Sequence, residues 1–349
     1  MRNIFDLSYN ELVLALQQEG FAKYRAAQIW NWLYKRGVDD FSEMHNIAKK
    51  LQQYLQANFI VNPLKIVTEQ KSQDGTIKWL FALADGKEIE TVFIPEEKRG
   101  TLCISSQVGC TLNCKFCHTG TQLWQKNLTR AEIIAQIFFA KQLIGEFSSE
   151  KRLITNIVFM GMGEPLLNYD NVKEACKIII SPESFDFSWR KVTISTSGII
   201  PAIAQMQNEL KVGLAISLHA SNNELRTEIM PINKKYPLAE LLAVCKAYIL
   251  KTDQKIMLEY VMLENVNDSQ EHAAELIKMV KDMPVKFNLI PFNSWPGCAY
   301  KSSSNNRIHR FSELLFKAGI EAPIRKTRGA DILAACGQLK SFLTKAEKP

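Results

Sequence analysis

An α/β fold built on an incomplete barrel of six parallel strands is what the sequence predicts, from three observations. Past residue 100, apolar strand-like runs alternate with helix-period segments, the pattern that parallel strands with crossover helices impose. The runs are 101–105, 156–160, 191–195, 212–218, 255–262 and 285–290. Small, polar and sulfur-bearing residues gather just after several of them, which in a barrel is the catalytic end. Six strands are fewer than the eight of a closed barrel, so a partial, TIM-like (β/α)6 barrel is expected, preceded by a small helical domain and a β-hairpin extension.

The helical domain comes first. Between residues 7 and 59, Leu12, Leu16, Ile29, Trp30, Leu33, Tyr34, Ile47, Leu51 and Leu55 recur at helical spacing, with Gly20 and Gly37 as breaks, and this predicts three helices. Lys23, Arg25, Lys35 and Arg36 flank Trp30, Trp32 and Tyr34, a combination that suits RNA contact, although Trp30 and Tyr34 also fit a core. From 64 to 95 the period changes. Residues 77–83 and 88–94 alternate around Asp85-Gly86, as a hairpin does. The expected divisions are 1–60, an accessory RNA-binding domain; 61–95, a β extension; and 96–349, the barrel with its C-terminal loop.

Composition points to an intracellular, cytoplasmic enzyme without membrane association. The start Met1-Arg2-Asn3-Ile4-Phe5-Asp6 lacks a long apolar run, and no stretch approaches the roughly 18 apolar residues of a membrane span. Eight cysteines in 349 residues make no disulfide scaffold; Cys176 and Cys245 lie in helical patterns and read as packing. The net charge is +7. Residues 301–349 carry ten Lys or Arg against four acids, either a solubilising face or the footprint of a phosphate backbone.

Cys110, Cys114 and Cys117 form a Cys-x3-Cys-x2-Cys array after the first barrel strand. Three thiolates suit an iron-sulfur cluster with one iron left open for a small molecule. Other readings stay open. On a helix the three would share a face and simply pack, His118 or Cys103 could complete a zinc tetrahedron, and Cys114-Lys115-Phe116-Cys117-His118 has haem-attachment spacing. Elsewhere at the strand ends stand Gly161-Met162-Gly163-Glu164-Pro165, Ser195-Thr196-Ser197-Gly198, Ser217-Leu218-His219 and Pro291-Phe292-Asn293. Each alone is ordinary turn chemistry, and a lone His219 is commonly a satisfied core imidazole.

The cysteine triplet with the Gly-Met-Gly-Glu-Pro turn resembles the radical S-adenosylmethionine superfamily. Within it, the strings 103–110, 190–198, Met230-Pro231-Ile232-Asn233 and 325–338 resemble the RlmN family of adenine-C2 methyltransferases, which act on large-subunit ribosomal RNA and transfer RNA. The resemblance implies that Cys110, Cys114 and Cys117 hold a [4Fe-4S] cluster, and that Gly163, Glu164, Ser195, Ser217, Leu218, His219 and Asn293 bind S-adenosylmethionine. It implies that Cys336 carries the methyl group, that Glu90 is the base, and that Cys103 attacks Cys336 to release the methylated RNA as a disulfide forms. A radical route is chemically apt, because C2 of adenine is not nucleophilic. The implied partners are ribosomal RNA, transfer RNA and a reducing, flavodoxin-type electron donor, with the protein a monomer.

Read from residues alone, Cys336 could be a buried small residue beside Ala334 and Ala335, although Arg325, Lys326 and Arg328 nearby would favour its thiolate. Alternation alone makes Glu90 a solvated strand residue. Residues 118–126 depart from the family's common pattern. The Cfr group, which methylates adenine C8, is the nearest alternative; Pro165 and the run Lys326-Thr327-Arg328-Gly329 resemble RlmN instead. A non-enzymatic iron-sulfur or zinc-stabilised RNA-binding protein is the remaining reading.

Overall fold

A computed structural model describes residues 1–61 and 64–341. Lys345, Glu347 and Lys348 of the basic C-terminal count lie outside the described residues.

Three helices open the chain: α1 (Tyr9–Gln18), α2 (Tyr24–Tyr34) and α3 (Lys49–Asn58). Ser8 and Glu11 close a capping box at the first turn of α1, satisfying amides that a helix start leaves bare. Trp30 and Tyr34 are buried, with ring centroids 4.9 Å apart. Trp32 lies at the edge of this core, with the Arg36 guanidinium 4.3 Å over its ring.

Among the described residues one nine-stranded sheet forms the body. Its strands are β1 (Lys65–Lys71), β2 (Ile77–Ala82), β3 (Glu88–Glu96), β4 (Arg99–Cys103), β5 (Asn156–Phe159), β6 (Val192–Thr196), β7 (Gly213–Ser217), β8 (Ile256–Met262) and β9 (Val285–Pro291). Strands β4 to β9 lie side by side in chain order and parallel, the six-stranded partial barrel that the alternating pattern predicts. The expected hairpin is β2 and β3, but a third strand, β1, joins it, and β3 pairs antiparallel onto β4. The extension is therefore continuous with the barrel wall.

The crossovers are α4 (Arg130–Leu143), α5 (Tyr169–Ile180), α6 (Ile200–Glu209), the pair α7 (Asn223–Ile229) and α8 (Leu238–Thr252), and α9 (Gln270–Val280). The last helix, α10 (Asn305–Lys317), follows β9. Beyond it the chain runs along the open barrel edge: Phe287 N–H donates to the Glu321 carbonyl (2.8 Å) and Arg325 N–H to the Leu289 carbonyl (2.8 Å). From there it crosses the barrel mouth to the turn between β1 and β2, where Gly329 N–H donates to Asp74 Oδ2 (2.9 Å). Cys336 follows that contact and stands just before Gly337, whose carbonyl accepts from His118 N–H (2.7 Å). Among the described residues no helix is long and apolar enough to cross a membrane.

Candidate active site

The cysteine triplet occupies an irregular loop, not a helix, so the packing alternative does not hold. Gln107–Val108 pairs antiparallel with Lys126–Asn127 and closes the base of the loop. Gly109 (φ 74°) lies so close to Leu123 that an added Cβ would stand 2.2 Å from its carbonyl oxygen. The Cys117 amide donates to the Cys114 carbonyl (3.0 Å), and Lys115 N–H to the Ile229 carbonyl (2.9 Å). These bonds turn Cys110, Cys114 and Cys117 into one cavity of about 140 Å³.

The floor of that cavity is the carboxyl end of the barrel. Gly161, Gly163, Glu164, Ser195, Ser197, Ser217 and His219 line it. Only bare backbone fits at the first two: a Cβ on Gly161 would stand 2.7 Å from the Ile104 carbonyl oxygen, and one on Gly163 (φ 95°) 2.5 Å from Gln107 Cβ. Glu164 accepts from Leu166 N–H (3.0 Å) and Ser197 N–H (2.7 Å). Burial raises its pKa, and these hydrogen bonds partly offset the rise. His219, at φ 59°, accepts the Val261 amide at Nδ1 (3.0 Å), and burial pushes its pKa down to about 3. Leu218 is fully buried in the core, and its carbonyl accepts from Arg226 Nε (3.1 Å); its side chain does not line the cavity.

Arg226 was not legible as a site residue. It is fully buried and its guanidinium also donates to the carbonyls of Ser197 (2.7 Å) and Ser217 (3.2 Å) and to Asn233 Oδ1 (3.0 Å). One side chain thus ties together the ends of β6 and β7. Burial lowers its pKa to about 10, and the nearby Cys114 works against that shift. Nothing in the period of the short helix α7 marks this arginine.

A second cavity of about 430 Å³ lies alongside, lined by Cys103, Thr101, Asn293, Arg325, Lys326, Arg328 and Cys336 among others. Cys336, Met160, Glu259 and Ile290 border both cavities. Glu259 was also missed, although a lone acid in the run Ile256-Met257-Leu258-Glu259-Tyr260 is a usable clue; it accepts from Ser195 Oγ (3.3 Å). Burial raises the pKa of Cys336, and the Arg325 guanidinium, hydrogen-bonded to it, opposes the rise. Cys103 is pushed up to about 12 by burial. Asn293 lines the larger cavity, not the triplet cavity, and donates to the Cys336 carbonyl (3.2 Å).

Glu90 is not solvated. It is buried on β3, pairs with Lys78 of β2 (2.9 Å) and accepts the Lys340 amide (2.8 Å). Burial raises its pKa and Lys78 opposes this. It lines neither cavity.

The donor set fits a multi-iron cluster. Burial raises all three triplet thiols, and neighbouring thiols and Glu164 add to this for Cys110 and Cys114, so three thiolates together need cationic metal to exist there. Among the described residues no three His, Cys, Asp or Glu side chains gather as a single ion would require. His118 and Cys103, the candidates for completing a zinc site, do not line the triplet cavity.

Comparison with known proteins bears on this arrangement. A family model described as the radical SAM superfamily matches residues 104–277, and one described as the ribosomal RNA large subunit methyltransferase N-terminal domain matches residues 2–61. The chain is 52% identical to the dual-specificity RNA methyltransferase RlmN of Rhodospirillum rubrum over 343 residues, covering 97% of this chain and 80% of that one. It is 50% identical to the protein of the same description from a Chelativorans species, covering 99% and 90%. Among solved structures it is similar to a radical SAM methyltransferase from Sphaerobacter thermophilus, with a TM-score of 0.92 and 40% identity over 97% of this chain and 99% of that one.

Proposed function

The chain belongs to the radical S-adenosylmethionine superfamily and, within it, to the RlmN family of dual-specificity RNA methyltransferases, and on that premise we propose that it methylates adenosine C2 in large-subunit ribosomal RNA and in the anticodon loop of transfer RNAs. The observation that carries the reading is the position of Cys336 on the boundary of two cavities, one walled by the cysteine triplet and the other by cationic side chains and Cys103.

Cys110, Cys114 and Cys117 would hold a [4Fe-4S] cluster whose open iron takes S-adenosylmethionine. When bound, this pair supplies the transferable methyl group and a reductively generated radical able to abstract hydrogen from it. The residues do the rest. Each Glu164 oxygen already accepts one N–H and keeps a further lone pair for the methionine ammonium, a charge-assisted contact of roughly 1.5–3 kcal/mol. Gly163 admits the cofactor against bare backbone, and Ser195, Ser217 and His219 surround it; Leu218 would contribute through its backbone and Asn293 from the adjoining larger cavity. Arg325 favours the Cys336 thiolate, the only competent nucleophile for taking up a methyl group.

Arg99, Arg325, Lys326 and Arg328 give the larger cavity the charge that an RNA backbone meets. Once the methylene carbon on the Cys336 sulfur is bonded to C2 and the adduct has given up one electron to the electron-transfer partner, Glu90, released from the Lys340 amide, would take the C2 proton and restore the aromatic ring. The Cys103 thiolate then attacks the Cys336 sulfur; the bond from that sulfur to the RNA-borne carbon breaks with its electron pair going to the carbon, which takes up a proton to become the methyl group, and a Cys103–Cys336 disulfide forms. Because that disulfide would leave Cys336 without a thiolate, an external reductant would have to reopen it before the next cycle. A flavodoxin-type donor would supply the electrons, and the protein would act as a cytoplasmic monomer.

The test is anaerobic reconstitution with iron and sulfide, then reaction with S-adenosylmethionine, reductant and unmodified RNA, with nucleosides identified by mass spectrometry. C2-methyladenosine, absent with Cys336→Ala, is expected. C8-methyladenosine would place the chemistry with the Cfr group.

A further inference from the structure

The tail beyond Cys336 is fastened to the segment that directly follows the third cysteine of the triplet. His118 N–H donates to the Gly337 carbonyl (2.7 Å), and His118 Nδ1 contacts the Gln338 carbonyl (3.1 Å). Thr119 Oγ1 donates to the Leu339 carbonyl (2.5 Å), Gln122 Nε2 to Ser341 Oγ (2.7 Å) and Lys340 Nζ to Thr121 Oγ1 (2.8 Å). The His118 ring also stacks on Trp295 (4.6 Å, 10°), whose indole N–H donates to the Phe116 carbonyl (3.1 Å). The atypical stretch after the cysteines is therefore the seat of the Cys336 loop.

On its other side the loop is held differently. Arg328 donates to the Pro95 carbonyl (2.6 Å), Gly329 N–H to Asp74 Oδ2 (2.9 Å) and Ser72 Oγ to Asp331 Oδ1 (2.6 Å). A charged side chain takes part in each of these three bonds. The bonds named at 118–122 come from backbone, hydroxyl, amide and imidazole groups and from Lys340, and on the sheet side the Glu90 carboxylate also accepts the Lys340 amide (2.8 Å). Between the two anchors Gly337, at φ 83° with nothing nearer than 3.5 Å to an added Cβ, provides a pivot beside Cys336.

We infer that segment 118–122 is the releasable anchor of the Cys336 loop and that it couples docking of this loop to occupancy of the cysteine triplet. Cys117 and His118 are consecutive, so whatever fixes the Cys114–Cys117 turn also aims the His118 amide at Gly337. Linkage makes the effect reciprocal: a docked loop tightens the hold on what the triplet binds, and a released loop weakens it. His118 and Thr119 are in this sense positioning residues. The inference rests on the triplet being a cluster site.

The experiment compares the full-length, iron- and sulfide-loaded protein with Lys340→Met/Ser341→Ala, changed only on the tail, and with Thr119→Val, changed on the seat. Hydrogen exchange at 337–341 is expected to quicken about tenfold in both, the scale of one or two lost hydrogen bonds, while 328–331 stays protected. Iron release to a chelator from the tail variant is expected to be at least about threefold faster, although it alters no ligand. Unchanged exchange in both variants would overturn the anchor, and faster exchange with unchanged iron release would overturn the coupling. Wild-type protein that takes up no iron and sulfide would instead overturn the cluster reading and the coupling with it, which separates the two failures.

Discussion

His219 combines a left-handed backbone with an imidazole buried as an acceptor, and this gives stability a definite pH dependence. The unfolded chain binds a proton near pH 6.5 that the folded chain refuses until about pH 3. Stability owed to neutral His219 is complete above about pH 6.5 and is lost as pH falls, by up to ~1.4 kcal/mol per unit. In cluster-free protein, His219→Asn keeps an acceptor and tolerates the backbone. Urea denaturation should show the wild type's advantage over this variant shrinking by about 2 kcal/mol between pH 6.5 and pH 5. Lys78 and Glu90 form a buried pair at 2.9 Å. Lys78→Met strands the carboxylate and should cost about 3–5 kcal/mol in the same assay, whereas Lys78→Met/Glu90→Leu should recover most of it. Glu90 is where local reasoning from alternation fails. The Cys336 tail lies on the Glu90 face of β3, and on the other face Thr91 Oγ1 donates to Gln136 of α4 (2.9 Å), so both faces of the strand are covered.

At the scale of elements, the barrel strands were legible because each carries buried apolar residues in a short run between helical segments. β1 was not, since all seven of its residues are exposed and its sequence Lys-Ile-Val-Thr-Glu-Gln-Lys has no apolar face to read. The turn after β5 was visible as Gly-Met-Gly-Glu-Pro, and its glycines have separate reasons: Gly161 to clear the Ile104 carbonyl and Gly163 to take a positive φ beside Gln107. Gly163→Ala should therefore weaken S-adenosylmethionine binding by at least about tenfold, because a Cβ both strains the turn and pushes into the cavity. Equilibrium dialysis on cluster-loaded protein checks this. Retained affinity would show that the turn can shift without disturbing the site. The two-part loop carrying Cys336 was foreseen only as mobile and glycine-flanked; its two anchors are made by residues about 220 and 258 positions earlier in the chain, which no local pattern reports.

Across the whole molecule, the N-terminal helices are not an independent bead. The Phe5 ring packs tilted against Phe138 of α4 (5.2 Å) and Tyr34 meets Phe185 edge-on (4.9 Å), and Asp6 Oδ1 accepts the Ala131 amide (3.0 Å) at the start of α4. Of the aromatic residues that suited RNA contact in the sequence, Tyr34 serves this junction, while Trp30 packs on Tyr9 and Tyr34 and Trp32 on His45 within the module itself. Because one core spans both parts, tryptophan fluorescence and far-ultraviolet circular dichroism should report one coincident unfolding transition. Phe5→Ala should lower stability by about 3–5 kcal/mol in both signals together; a shift confined to one signal would mean that the module unfolds on its own.

What the sequence determined by itself was the part written in local period and spacing: six parallel strands, three leading helices, a hairpin, a cysteine triplet whose spacing suits an iron-sulfur cluster, and motifs specific enough to reveal the RlmN family. What the tertiary structure decided was which side chains meet. Burial of Glu90 against Lys78, the clasp of Arg226 on three strand-end carbonyls, the place of Asn293 against the Cys336 backbone and the seating of the C-terminal tail on residues 118–122 all join segments far apart in the chain. Periodicity records which face of an element is apolar, because that depends on neighbours three or two residues away. It carries no record of which polar group from another element will satisfy a buried donor, since that choice is made only when the elements pack.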